Sequence, residues 1–142
     1  MDEILVIGEH ELVRKAICER LKMVFPAYHI LGATAGEEAV DPVLQQPVSL
    51  VVIDIDPPTV DRLKLVRHIK SVRPQTPIVV WSVHDWENYR TDALAAGAAA
   101  YVSKREPHDK LLAIMVKLLS ADEADPPTWR TDKEGGNSPT AI

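Results

Sequence analysis

The stretch LVVIDIDPP, residues 50–58, decides the fold. Leu50, Val51, Val52 and Ile53 form an unbroken apolar run, rich in β-branched side chains, that leads into Asp54, Asp56 and the prolines Pro57 and Pro58. A strand with one wet face alternates apolar and polar residues. A continuous apolar run stopped by prolines instead marks a strand covered on both faces, as in parallel sheets. Asp54 then stands at the carboxyl end of its strand, the edge where open α/β sheets bind ligands. Asp and Pro are also ordinary turn and cap residues after any strand, so the flanking sequence must decide between a site and a turn.

Outward from this strand, the chain alternates between two patterns. Residues EILVIG (3–8) form a shorter apolar run ending on Gly8 and Glu9. Leu12, Val13, Ala16, Ile17, Leu21 and Val24 then recur at intervals of three and four, closed by Pro26, which predicts a helix. The cycle repeats with HILGAT (29–34) and a short helix from about Gly36 to Leu44. After the opening strand comes a helix on Leu63, Val66, Ile69 and Val72, with Asp61 as its expected N-cap. PIVVWS (77–82) precedes a helix from about Trp86 to Ala96, and AAAYVS (98–103) precedes one on Leu111, Leu112, Met115, Leu118 and Leu119, with Gly97 as the stop between these units. Strands alternating with helices predict the α/β class, a doubly wound parallel sheet joined by right-handed crossovers. About five units fill residues 1–120, and residues 121–142, without periodicity and dense in Pro, Gly and charge, read as a flexible tail or linker.

The 142 residues suffice for one domain with a sizeable core plus a tail. No apolar run approaches membrane-spanning length, and the acids in MDEILVIGEH stand where a signal peptide carries basic residues, so a cytoplasmic protein without membrane contact is expected. A formal net charge of −5 with scattered Lys and Arg argues against nucleic-acid binding by this chain. Cys18, the only cysteine, excludes an internal disulfide and a Cys-rich zinc site. Placed among Glu11, Arg14 and Lys22, it reads as a partly exposed thiol. The five histidines have no paired metal-ligand spacing and are expected as solvated or packed side chains.

In a parallel sheet the carboxyl ends of all strands lie along one edge. They deliver Gly8 and Glu9, Thr34, Asp54, Ser82 and Lys104. Carboxylates hold Mg²⁺ through hard oxygens, while a hydroxyl and an ammonium bond and neutralise phosphoryl oxygens. A carboxylate at the end of a buried strand can act there as a nucleophile toward phosphorus.

HELVR after the first strand, VVIDI ending on Asp54, Pro58 four residues later, Ser82 closing the fourth strand and GAAAYVSK ending on Lys104 occur together in one order and spacing. In these features residues 3 to about 120 resemble the receiver domains of two-component response regulators, the CheY-like superfamily. The similarity is greatest to receivers of NarL/LuxR-type regulators, which usually precede a helix-turn-helix domain. The resemblance implies a flavodoxin-like (βα)5 fold with strand order 2-1-3-4-5 and a signalling module rather than an enzyme. It implies that Asp54 accepts a phosphoryl group from a histidine kinase or small phosphodonor, that Lys104 pairs with Asp54 and then with the phosphoryl oxygens, and that Ser82 bonds that group and draws its loop inward. Tyr101 would report the movement on the face made by the last two helices and fifth strand, where a downstream partner or a second copy would bind.

Two departures from the family stand out. Receivers usually carry two adjacent acids after the first strand, which hold Mg²⁺; here they are Gly8 and Glu9, so weaker metal binding and slower phosphotransfer are expected. The metal set becomes Glu9, Asp54 and the carbonyl of Asp56, whose side chain is a further candidate ligand replacing the lost acid. In DPPTVDR, Pro57 stiffens the loop, Thr59 and Arg62 stand where glycines are common, and Trp81 and Trp86 bracket the Ser82 loop. Gly8 favours an alternative reading as a phosphorylation-independent interaction module. A third reading is the receiver part of a longer transcription factor with residues 121–142 as its linker. A metal phosphatase is disfavoured by the GAAAYVSK and HELVR context, although Asp56 stands two residues past the nucleophile.

Overall fold

The computed structural model describes residues 2–124. Five strands, β1 (Glu3–Ile7), β2 (His29–Ala33), β3 (Val48–Asp54), β4 (Ile78–Ser82) and β5 (Ala100–Ser103), alternate with five helices, α1 (Glu11–Val24), α2 (Glu37–Leu44), α3 (Lys64–Val72), α4 (Glu87–Ala96) and α5 (His108–Ala124). All pairings are parallel, in the order β2-β1-β3-β4-β5, as the repeating pattern predicts. The strand that opens the sequence argument thus sits at the centre, between β1 and β4. α5 runs on to Ala124, past the boundary expected at residue 120, and the rest of the expected tail lies outside the described residues.

Successive strand residues point to opposite faces of the sheet, so each strand feeds two cores. Leu5, Ile7, Val51, Ile53, Ile78 and Val80 pack with Val40, Val66, Ile69 and Ala93 of α2, α3 and α4. Ile4, Val6, Leu50, Val52, Val79 and Val102 pack with Ile17 and Leu21 of α1 and Leu111 and Met115 of α5. Each such fully buried aliphatic side chain contributes about 1.5–3 kcal/mol from removal of apolar surface from water. A polar substitution along Leu50–Ile53 would therefore be costly on either face. Gly97 closes α4 in the left-handed region at φ 118°, and a Cβ there would lie 2.7 Å from Lys70 Cγ. Only glycine meets both constraints without strain.

Two local expectations are corrected. α3 begins at Lys64 with Leu63 at its N-cap, because residues 60–63 form a turn in which Leu63 N donates to Thr59 O; Asp61 pairs with Lys64 at the surface instead. On α1 only Ile17 and Leu21 are buried, and Leu12 is 82% exposed, so the apolar stripe is narrower than the periodicity implies. Cys18 is a partly exposed thiol, as its neighbours in the sequence suggest, with Sγ near Gly32, and burial pushes its pKa up, which disfavours a reactive thiolate.

His68 is neither free nor simply packed. Its Nε2 lies 2.6 Å from Asp41 Oδ1 and its Nδ1 3.7 Å from Glu37 Oε2, so α3 is tied to α2 across the sheet's outer layer. The hydrogen bond to Asp41 raises the His68 pKa above 6.5, outweighing partial burial. A histidine whose pKa is raised on folding stabilises the fold below its unfolded pKa and loses that contribution as pH rises through the folded value. We expect the stability difference between wild type and Asp41→Asn, measured by urea unfolding, to be largest below pH about 6.5 and to shrink above it. A difference that does not vary with pH would contradict this tie.

Candidate functional site: the carboxyl edge of the sheet

Strand register assembles the site. Asp54 pairs with Trp81 across β3 and β4, and Trp81 pairs with Val102 across β4 and β5. Two residues beyond Val102, Lys104 N donates to Ser82 O, which turns the lysine back over the ends of β3 and β4. Its ammonium lies 2.5 Å from Asp54 Oδ1 and 2.7 Å from Asp56 Oδ2, and also stands 4.7 Å above the Trp81 ring. Trp81 is thus buried beneath the site as an aromatic floor for the lysine, a role its position in the sequence does not reveal.

Asp56 gathers most of the hydrogen bonds. Oδ1 accepts from Ser82 Oγ at 2.6 Å and from the Val83 backbone N–H at 2.7 Å, while Oδ2 accepts from Lys104. Its backbone carbonyl accepts from Arg62 Nη1 at 3.2 Å, and Arg62 N meets Thr59 Oγ1 at 3.4 Å, so the two residues that stand in place of glycines brace this loop. The Asp56–Pro57 peptide bond is cis. Ser82 is fully buried, and its Oγ also accepts from His84 N at 3.1 Å. Tyr101 is 3% exposed; its hydroxyl donates to His84 O, and Arg90 stacks 5.4 Å from its ring centroid. Trp86, 64% exposed, stacks on Tyr89 and leaves the neighbourhood of Ser82 to His84.

The charges follow from these contacts. Burial is the largest influence on Asp54 and raises its pKa despite the bond from Lys104. Burial also pushes Asp56 upward, but the donors Lys104, Ser82 and Val83 together outweigh it and bring its pKa to about 2. Lys104 is raised because its two carboxylate partners outweigh its own desolvation. Asp56 is therefore firmly ionised at neutral pH, and Asp54 has the more basic carboxylate of the pair.

Glu9 is exposed at the mouth of a cleft of about 400 Å³ that also involves Asp54, Asp61 and Arg62. Glu9, Asp54 and Asp56 line a smaller adjoining recess. A Cβ on Gly8 would lie 3.4 Å from Asp54 Cβ and 3.8 Å from its Oδ2, so the absent acid would face the phosphoacceptor candidate directly. Arg14 Nη1 binds the Gly8 carbonyl at 2.6 Å from α1, a contact not visible in the sequence pattern. The hard oxygens of Glu9, Asp54 and the Asp56 carbonyl suit Mg²⁺, which would neutralise charge on phosphoryl oxygens.

The model of the response regulator receiver domain matches residues 4–116 of this sequence. The chain belongs to this family. Receiver domains are signalling modules of two-component response regulators, and they generally bind Mg²⁺ for phosphorylation. Among similar proteins, the response regulator MprA of Mycobacterium sp. (strain KMS) is 32% identical over 136 residues, covering 96% of this chain and 55% of MprA. The transcriptional regulatory protein DegU of Brevibacillus brevis is 29% identical over 111 residues, 78% of this chain and 47% of DegU. The chain thus spans about half the length of these curated relatives. Among solved structures, the response regulator TrrA from Thermotoga maritima in complex with Mg(2+)-BeF has a TM-score of 0.68 at 28% identity, covering 83% of this chain and 99% of that one. A LuxR family DNA-binding response regulator from Silicibacter pomeroyi has a TM-score of 0.70 at 20% identity, covering 85% and 93%, a likeness of fold. Among the described residues, no helix of this receiver is long and apolar enough to cross a membrane.

Ser82→Ala tests the Asp56 cluster. Hydrogen bonds to charged groups contribute about 1.5–3 kcal/mol, and with two other donors left on the same carboxylate the expected loss lies at the low end, about 1.5 kcal/mol. Urea unfolding measures it; no loss of stability would mean that the Ser82 bond contributes nothing net.

Proposed function

We propose that this receiver accepts a phosphoryl group on Asp54 and relays that event to a partner-binding surface on α4, β5 and α5. The observation that carries the reading is Lys104 held 2.5 Å from Asp54 Oδ1 at the carboxyl edge of the sheet. Asp54 Oδ would form a bond to phosphorus as phosphorus parts from the imidazole nitrogen of a histidine kinase or the acyl oxygen of a small phosphodonor. The electron pair of the broken bond leaves with the donor. Lys104 would follow the negative charge onto the phosphoryl oxygens, and Ser82 and Tyr101 would carry the change to the output face. Glu9, Asp54 and the backbone carbonyl of Asp56 would hold Mg²⁺, more weakly than an acidic pair because Gly8 supplies no carboxylate. This work is done by a signalling module rather than a turnover enzyme. We assign the receiver the described residues through Ala124, since α5 continues past the boundary expected at 120, with a downstream protein or a second copy as the partner of the last two helices and β5.

Intact mass after incubation with Mg²⁺ and a small phosphodonor tests the acceptor. We expect a gain of one phosphoryl group, abolished in Asp54→Ala. No gain at any Mg²⁺ concentration would favour the alternative, an interaction module that works unphosphorylated, which Gly8 supports.

Gly8→Asp tests the metal reading. A Cβ at position 8 would make ordinary contacts with Asp54, so the backbone there accepts a side chain without a clash at its root. Outer-shell partners alone are worth about 10- to 100-fold in metal affinity, so a restored ligand should tighten Mg²⁺ binding at least about tenfold. Unchanged affinity in a Mg²⁺ titration would remove Gly8 as the limiting feature.

A further inference from the structure

The donors that a phosphoryl group on Asp54 would need are already engaged. Ser82 Oγ, Val83 N–H and Lys104 Nζ converge on a single carboxylate at 2.6, 2.7 and 2.7 Å. A hydroxyl, a main-chain amide and an ammonium so arranged make an anion site, and their bonds to a carboxylate are charge-assisted. Its occupant belongs to the chain itself. Resting on the reading of Asp54 as phosphoacceptor, we propose that the Asp56 carboxylate is a built-in anion that takes the place of the phosphoryl oxygens and holds the switch drawn in without phosphorylation.

The hydrogen bonds run without a break from Asp56 to the output face. Ser82 Oγ, while donating to Asp56, accepts from His84 N at 3.1 Å, and His84 O accepts the hydroxyl of Tyr101. Tyr101 is buried, and its own carbonyl accepts from Arg90 Nη1 of α4 at 3.2 Å. Both residues assigned to the switch thus take the inward positions that a bound anion favours. A carboxylate two residues from Asp54 competes as an intramolecular ligand, at high effective concentration. A ligand shifts a two-state element only by its differential affinity for the two states, and Asp56 applies that bias in every molecule.

Two consequences follow for the phosphoacceptor. Lys104 already touches both acids, but a phosphoryl group on Asp54 must displace Asp56 from Ser82 and Val83 before those donors can reach it. The incoming donor also meets an extra negative charge. Phosphorylation should therefore be slowed, and the change it relays to the output face should be smaller than in a chain without the Asp56 carboxylate, because that face is already biased toward the drawn-in form.

Backbone-amide and tyrosine-ring NMR of the full chain tests this first with no phosphodonor present. In Asp56→Ala we expect the Val83 amide proton to move upfield as it loses its carboxylate, with shifts that extend through His84 to the Tyr101 ring. With phosphodonor and Mg²⁺, Asp56→Ala should phosphorylate about tenfold faster than wild type, equivalent to about 1.4 kcal/mol. Its α4 and β5 resonances should then move further than those of phosphorylated wild type. Unchanged Val83 and Tyr101 signals in the unphosphorylated variant would overturn the proposal, as would equal phosphorylation-induced shifts in both proteins. Should Asp56→Ala fail to fold, Asp56→Leu, of similar size and without an acceptor oxygen, supports the same comparison. Absence of phosphorylation in every protein would defeat the Asp54 reading instead, and the comparison without phosphodonor would still decide the role of Asp56.

Discussion

One ammonium group organises the carboxyl edge of this sheet. Lys104 Nζ bridges Asp54 and Asp56, two carboxylates that would otherwise repel each other in a partly buried setting. Its position depends on the parallel register from β3 through β4 to β5, on the Lys104 N to Ser82 O bond that turns the chain, and on the Trp81 ring beneath it. That register in turn rests on a central strand buried on both faces. The hydrophobic run at 50–53 thus fixes where the charges meet, and the lysine makes their proximity tolerable.

The two acids divide the work unequally. Asp54 keeps the more basic carboxylate and stands beside the space left by Gly8, whereas Asp56 draws in Ser82, Val83 and the lysine. Removing an acid at position 8 and placing one at position 56 have related electrostatic effects. The first leaves less negative charge to hold Mg²⁺, and the second supplies a resident anion where a phosphoryl group would otherwise gather the donors. A receiver altered in both ways should have a drawn-in switch and a less responsive acceptor.

Much of this could be read from the sequence because the signals were local and periodic. The run ending on Asp54, the repeating strand and helix units and the αL stop at Gly97 each report a constraint within a few residues. Parallel order then places Glu9, Asp54, Ser82 and Lys104 on one edge without further information. Long-range side-chain choices were not legible. Asp56 reads in the sequence as a metal-ligand candidate, and nothing in DPPTVDR signals that its carboxylate engages Ser82 and Val83, which follow it by 26 and 27 residues. The His68–Asp41 tie between α2 and α3 and the Arg14 contact to Gly8 are hidden for the same reason, since spacing along the chain says little about which polar tips meet across layers. Leu12 shows the opposite error: its spacing fits the helix period, yet it lies beyond the edge of the buried stripe.

The central claim is that Asp56 and a phosphoryl group on Asp54 compete for the same donors. A crystal structure of this receiver with Mg²⁺ and fluoroberyllate, a phosphoryl mimic, tests that claim directly. We expect the mimic on Asp54, its fluorines accepting from Ser82 Oγ, Val83 N and Lys104 Nζ, and the Asp56 carboxylate swung away from Ser82 and Val83. A mimic bound to Asp54 with Asp56 still seated on Ser82 and Val83 would contradict the account.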